Sequence, residues 1–93
     1  MDRMTRKRLQ MYLDRVNDAL GQERIPYVQT DSGVTANVGT VTLDFAYGGV
    51  RVCRIVNSGG GNTDLSPRGT MRDAANYLDA MLTGINISRG KRK

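Results

Sequence analysis

Three consecutive glycines, Gly59-Gly60-Gly61, lie between an arginine-bearing apolar segment (50–56) and an amphipathic segment that opens at Thr70. Backbone N–H groups of such a loop can converge on an anion near a helix start, with no side chain in the way. Guanidinium groups stand on both sides: Arg51 and Arg54 precede the loop, Arg68 and Arg72 follow it, and Asn57 and Asn62 flank it. The segment Leu43-Asp44-Phe45-Ala46-Tyr47-Gly48-Gly49 supplies complementary groups. Tyr47 can stack on a base, Asp44 or Asn57 can orient a sugar, and the glycines permit close approach. Together these residues describe a binder of an anionic, nucleotide-like ligand. The plainer alternative makes the glycines a flexible connector and pairs Asp44 with Arg51 or Arg54 across a hairpin, with Phe45 in the core.

Catalysis finds little support. The chain has no histidine, so no imidazole base or ligand is available, and Cys53 is its only cysteine. Ser58 and Ser66 lack a general base, and nothing in the spacing pairs Asp44 with Asp64. The glycines belong neither to a Walker loop, which needs a following Gly-Lys-Ser or Gly-Lys-Thr, nor to a GxGxxG dinucleotide fingerprint. The expectation is therefore a protein that is not an enzyme, with no catalytic residues, no metal site and no cofactor.

The formal charge of +5 is unevenly spread. Residues 1–8 carry Arg3, Arg6, Lys7 and Arg8 against Asp2, a net +3; residues 88–93 carry Arg89, Lys91, Arg92 and Lys93, a net +4; residues 9–87 hold six arginines against eight acids, a net −2. Basic ends of this kind can grip phosphates without sequence selectivity, which makes nucleic acid the alternative partner. They equally serve as solubilising tails.

These groups are positioned by a short list of elements. Leu9, Tyr12, Leu13, Val16 and Leu20 form one apolar helical stripe, capped by Asp2 or Thr5 and stopped by Gly21. Residues 26–57 change to β-branched, period-two patterning: a hairpin of 27–30 and 34–38 about Asp31-Ser32-Gly33, a strand at 41–45, and a strand at 50–56 with apolar residues on both faces, hence central. The change of parity between Val34-Ala36-Val38 and Val41-Leu43-Phe45 requires a bulge or turn near Gly39. Met71, Ala74, Ala75, Leu78, Met81 and Leu82 make a second helix, opened by Thr70 with Asp73 and stopped at Gly84. The expected fold is α+β: helix, three- to four-stranded antiparallel sheet, helix, with both helices on one face. Residues 1–8 form a basic N-terminal extension of the first helix, 9–87 a single α+β domain and 88–93 a basic C-terminal tail. A core this small, with one Phe and no Trp, favours a homo-oligomer, specifically a two-fold dimer that completes the pocket. No apolar run has membrane-spanning length, and the charged N-terminus does not read as a secretory signal, so no membrane association and a cytoplasmic location are expected.

At Leu43-Asp44, Ala46-Tyr47-Gly48-Gly49, Arg54, Val56-Asn57 and Gly59-Gly60-Gly61 the chain resembles a family of short bacteriophage and prophage proteins. That resemblance implies an accessory protein acting in the cytoplasm of an infected host bacterium, in an anti-defence role: ligand sequestration of a host immune signal, or blocking of a host defence protein in the manner of anti-CRISPR factors. It brings no assigned site residues. The order helix, three strands, helix is also similar to that of the double-stranded RNA-binding domain, with Pro26-Tyr27 and Met71-Arg72-Asp73-Ala74 similarly placed. That domain's lysine-rich helix start and long strand loop have no counterpart here; Arg72 sits beside Asp73, and Asp31-Ser32-Gly33 is short.

Overall fold

The computed structural model describes residues 4–90. Helix α1 (Arg6–Leu20) opens where Oγ1 of Thr5 accepts the Arg8 N–H at 3.2 Å. Leu9, Leu13 and Val16 turn one face inward, and Met4, just ahead of the helix, is buried with them. The basic residues Arg6, Lys7 and Arg8 form the first turn of α1.

Strands β1 (Tyr27–Thr30) and β2 (Gly33–Ala36) form the expected hairpin about Asp31-Ser32, pairing Tyr27 with Ala36 and Thr30 with Gly33. They do not join the main sheet. The chain turns at Gly39 (φ 97°), where Thr40 is fully buried and donates from Oγ1 to the Glu23 carbonyl at 2.9 Å, and that turn absorbs the parity change. Strands β3 (Val41–Ala46), β4 (Gly49–Ile55) and β5 (Asn62–Asp64) then form a separate antiparallel meander with β4 in the middle. Five strands in two sheets replace the single sheet of three or four.

Cross-strand pairing of Leu43 with Val52 and of Phe45 with Val50 sets these residues, together with Val41, on one face of the sheet. Against that face lie Leu9, Leu13 and Val16 of α1 and Ala74, Ala75 and Leu78 of α2 (Met71–Ser88), so both helices cover the same side. Asp44, Arg51, Cys53 and Asp64 face the other way. Beyond β5 the chain doubles back beside β4, with Val50 and Gly69 exchanging N–H···O bonds of 2.8 and 2.9 Å. A Cβ at Gly49 would stand 2.9 Å from the Gly69 carbonyl, so the close approach needs glycine there.

Thr70 and Asp73 form the expected reciprocal cap of α2, each side chain accepting the other's backbone N–H at 3.0 Å. The expected stop at Gly84 is not used. Ile85 continues the stripe Leu78-Met81-Leu82 onto the core, which outweighs the roughly 1 kcal/mol that a mid-helix glycine costs. The helix runs to Ser88, and Gly90, at φ 73°, ends the turn. Among the described residues no helix is long and apolar enough to cross a membrane.

Candidate functional site

The glycine loop joins β4 to β5 and does not open onto a helix. Its amides are already engaged: Oδ1 of Asn57 accepts the Gly59 and Gly61 N–H groups at 3.0 and 2.9 Å, and the Asn57 carbonyl accepts from Gly60 at 3.1 Å. An asparagine closing on the backbone ahead of it satisfies the donors that an anion would have required. Gly60 has φ 94°, and a Cβ there would meet the Tyr27 hydroxyl at 2.9 Å. Gly60→Val is therefore expected to cost about 1–2 kcal/mol in denaturant unfolding while leaving anion binding unchanged; unchanged stability would contradict this account of the loop.

The remaining expected ligand residues divide between places. Arg51 and Arg54 lie on opposite faces of β4, and Arg54 Nε donates to the Gly39 carbonyl at 2.8 Å. Tyr47 sits beyond one end of β4 and Gly59-Gly60-Gly61 beyond the other, a separation of roughly 20 Å along the strand. No enclosure joins Tyr47 to the glycine loop.

Asp44, Arg51 and Arg68 do come together. Arg51 and Arg68 each place an Nη2 2.8 Å from Oδ2 of Asp44, and Arg51 Nη1 reaches Asp64 at 3.2 Å. Arg68 Nη1 also donates to the Asp44 and Ala46 carbonyls at 2.9 and 3.2 Å. These hydrogen bonds, first from Arg68 and then from Arg51, hold the Asp44 carboxyl below the usual carboxylate range. A carboxyl depressed on folding contributes stability above its unfolded pKa, about 3.9, and loses it as pH falls through the lower folded value. Asp44→Asn should flatten that acid limb in thermal melts below about pH 4; an unaltered limb would show that the cluster is not the source. Cys53 is buried beside this group, and burial pushes its thiol up, away from the reactive thiolate.

A different grouping forms at the turn between β3 and β4. Phe45, Ala46, Gly48 and Gly49 line a cavity of about 440 Å³ together with Arg6 from the start of α1 and with Thr70 and Met71 from the start of α2. Both helices therefore begin at one end of the molecule. The Arg6 guanidinium lies 4.1 Å from the centroid of the Phe45 ring, and Arg68 lies 5.6 Å from that of Tyr47. Lys7, Arg8 and Arg72 belong to the same two helix starts. Among the described residues, the Asp44 carboxylate is held by arginines and that of Asp73 by the cap. Tyr47 itself is 96% exposed and has φ 53°, a left-handed conformation that costs a tyrosine roughly 1 kcal/mol.

Arg89, the described basic residue of the other terminus, lies elsewhere. Arg89 caps the far end of α2, an 18-residue helix about 27 Å long. Arg3, Lys91, Arg92 and Lys93 lie outside the described residues. Among the described residues no group of three or more His, Cys, Asp or Glu is placed to hold a metal ion. The convergence of the two helix starts was not legible in the spacing of residues, because it depends on the chain doubling back through Gly69. Comparison with protein-family models, with curated proteins and with solved structures finds no match to this chain.

Proposed function

We propose that the protein binds the phosphate backbone of a nucleic acid, without turnover, at the end where both helices begin. The observation that carries the reading is the first turn of α1: Arg6, Lys7 and Arg8, with no acidic residue among them, beside the first turn of α2. Helix starts carry the positive end of the macrodipole, so three cations there oppose folding by a few tenths of a kcal/mol each. A polyanion removes that penalty and gains from both dipoles. Arg8 and Arg15 flank a second cleft with Met11 and Tyr12, reaching about 10 Å along α1 on the side of the helix turned away from Arg6. That reach fits a polymer better than a single nucleotide, and the occupied amides of Gly59, Gly60 and Gly61 weigh against an enclosed mononucleotide.

Salt dependence tests this. The logarithm of the affinity for an oligonucleotide should fall with the logarithm of salt at a slope of about −2 to −4, three to five phosphates neutralised. Removing residues 91–93 should leave most of that slope in place; its complete loss would move the function to the C-terminal tail. Deleting residues 1–8 is not an equivalent test, since it also removes buried Met4 and the Thr5 cap.

A further inference from the structure

We infer that Tyr47 is a stacking platform for an unpaired nucleobase, so that the polymer held at this end is single-stranded where it meets the hairpin. The inference rests on the phosphate-binding reading and deepens it. Tyr47 and Gly48 form the two-residue turn between Ala46 and Gly49, with φ of 53° and 74°. Asparagine and glycine meet that requirement cheaply, and tyrosine does not. The chain gains no burial in return, because the ring is 96% exposed.

What the turn achieves is presentation. Below the ring lies Arg68, whose guanidinium is fixed by the Asp44 carboxylate and by the Asp44 and Ala46 carbonyls at 2.8–3.2 Å. An anchored cation thus lies 5.6 Å from the centre of the exposed ring, and Gly48 and Gly49 add no side chain beside it. The cavity that Gly48 and Gly49 line also holds Arg6, so a backbone gripped at the helix starts passes next to the ring. A duplex keeps its base faces stacked on one another and offers edges and phosphates. A splayed strand offers faces, and a flat exposed ring gains most from those.

The test compares an oligothymidylate of about 20 nucleotides with a duplex of equal length, by fluorescence anisotropy at fixed salt, in the intact protein, Tyr47→Phe and Tyr47→Asn. Tyr47→Asn should lose roughly ten- to hundredfold in single-strand affinity and less than about threefold for the duplex. Its melting temperature should be unchanged or higher, because asparagine relieves the left-handed strain. Tyr47→Phe should stay within about threefold of the parent for both. If Tyr47→Asn binds the single strand as well as the parent, or weakens both polymers equally, the stacking role is wrong while salt-dependent phosphate binding still stands. If the intact protein binds neither polymer, the phosphate reading itself falls and this inference with it.

Discussion

Replacing Arg6, Lys7 and Arg8 together by glutamine is expected to lower affinity for a single-stranded oligonucleotide about 100-fold near 0.1 M salt and to make the salt slope shallower by about two. Each lost phosphate contact forgoes the release of most of one condensed counterion, about 0.7 in the slope for a single strand, and three such losses compound. Folding should respond in the opposite sense or hardly at all. Glutamine removes three positive charges from the positive end of the α1 dipole, partly offset by loss of the Arg6 contact with the Phe45 ring. The melting temperature should therefore stay within a few degrees. The pairing of a large binding loss with preserved stability is the signature to look for. Equal affinity in parent and variant would show that these side chains serve the fold alone.

The second large effect concerns stability. Asn17 is fully buried and clamps the first residue of β3 from both sides: Nδ2 donates to the Val41 carbonyl at 3.0 Å, and Oδ1 accepts the Val41 N–H at 2.8 Å. Val41 begins an edge strand, so these two groups have no neighbouring strand to bond. Asn17→Ala leaves a buried donor and a buried acceptor unmade, each costing about 1–3 kcal/mol, and opens a small cavity. A total near 3 kcal/mol is expected, a fall of roughly 12–24 °C in a domain of this size. Small domains hold only about 5–15 kcal/mol in all, so the variant should be partly unfolded when warm. A shift of only a degree or two in calorimetry would mean that the clamp is not what fixes α1 to β3.

Asn17 also shows what the sequence conceals. It stands four residues after Leu13 on the apolar stripe, and a polar group there is a visible oddity whose partner, 24 residues away, is not. The stripes themselves were readable: Leu9, Leu13, Val16, Ala74, Ala75 and Leu78 form the core that their periodicity requires. So was the Thr70–Asp73 cap, which depends on a fixed short spacing. Gly84 misled because a single glycine cannot end a helix whose next apolar residue, Ile85, still reaches the core. The triple glycine misled in another way. Its freedom is real, but Asn57 two residues earlier takes the amides, a local competition that composition does not weigh.

The cation cluster was legible only in part. Alternation allowed Asp44 to pair with Arg51 across the hairpin, and it does. Arg68 arrives from 24 residues away along a segment that returns beside β4, and no local pattern fixes such a return. The same return brings the second helix start next to the first. The helical pattern puts Arg6, Lys7 and Arg8 on the first turns of α1, but no local spacing shows that they stand beside the start of α2.

Amide chemical-shift mapping with an added oligothymidylate tests most directly where an anion meets this molecule. The largest perturbations are expected at Arg6–Arg8, at Tyr47–Gly49 and at Thr70–Arg72. Perturbations concentrated instead at Gly59–Gly61 or along the 27–36 hairpin, with those three segments silent, would contradict this placement.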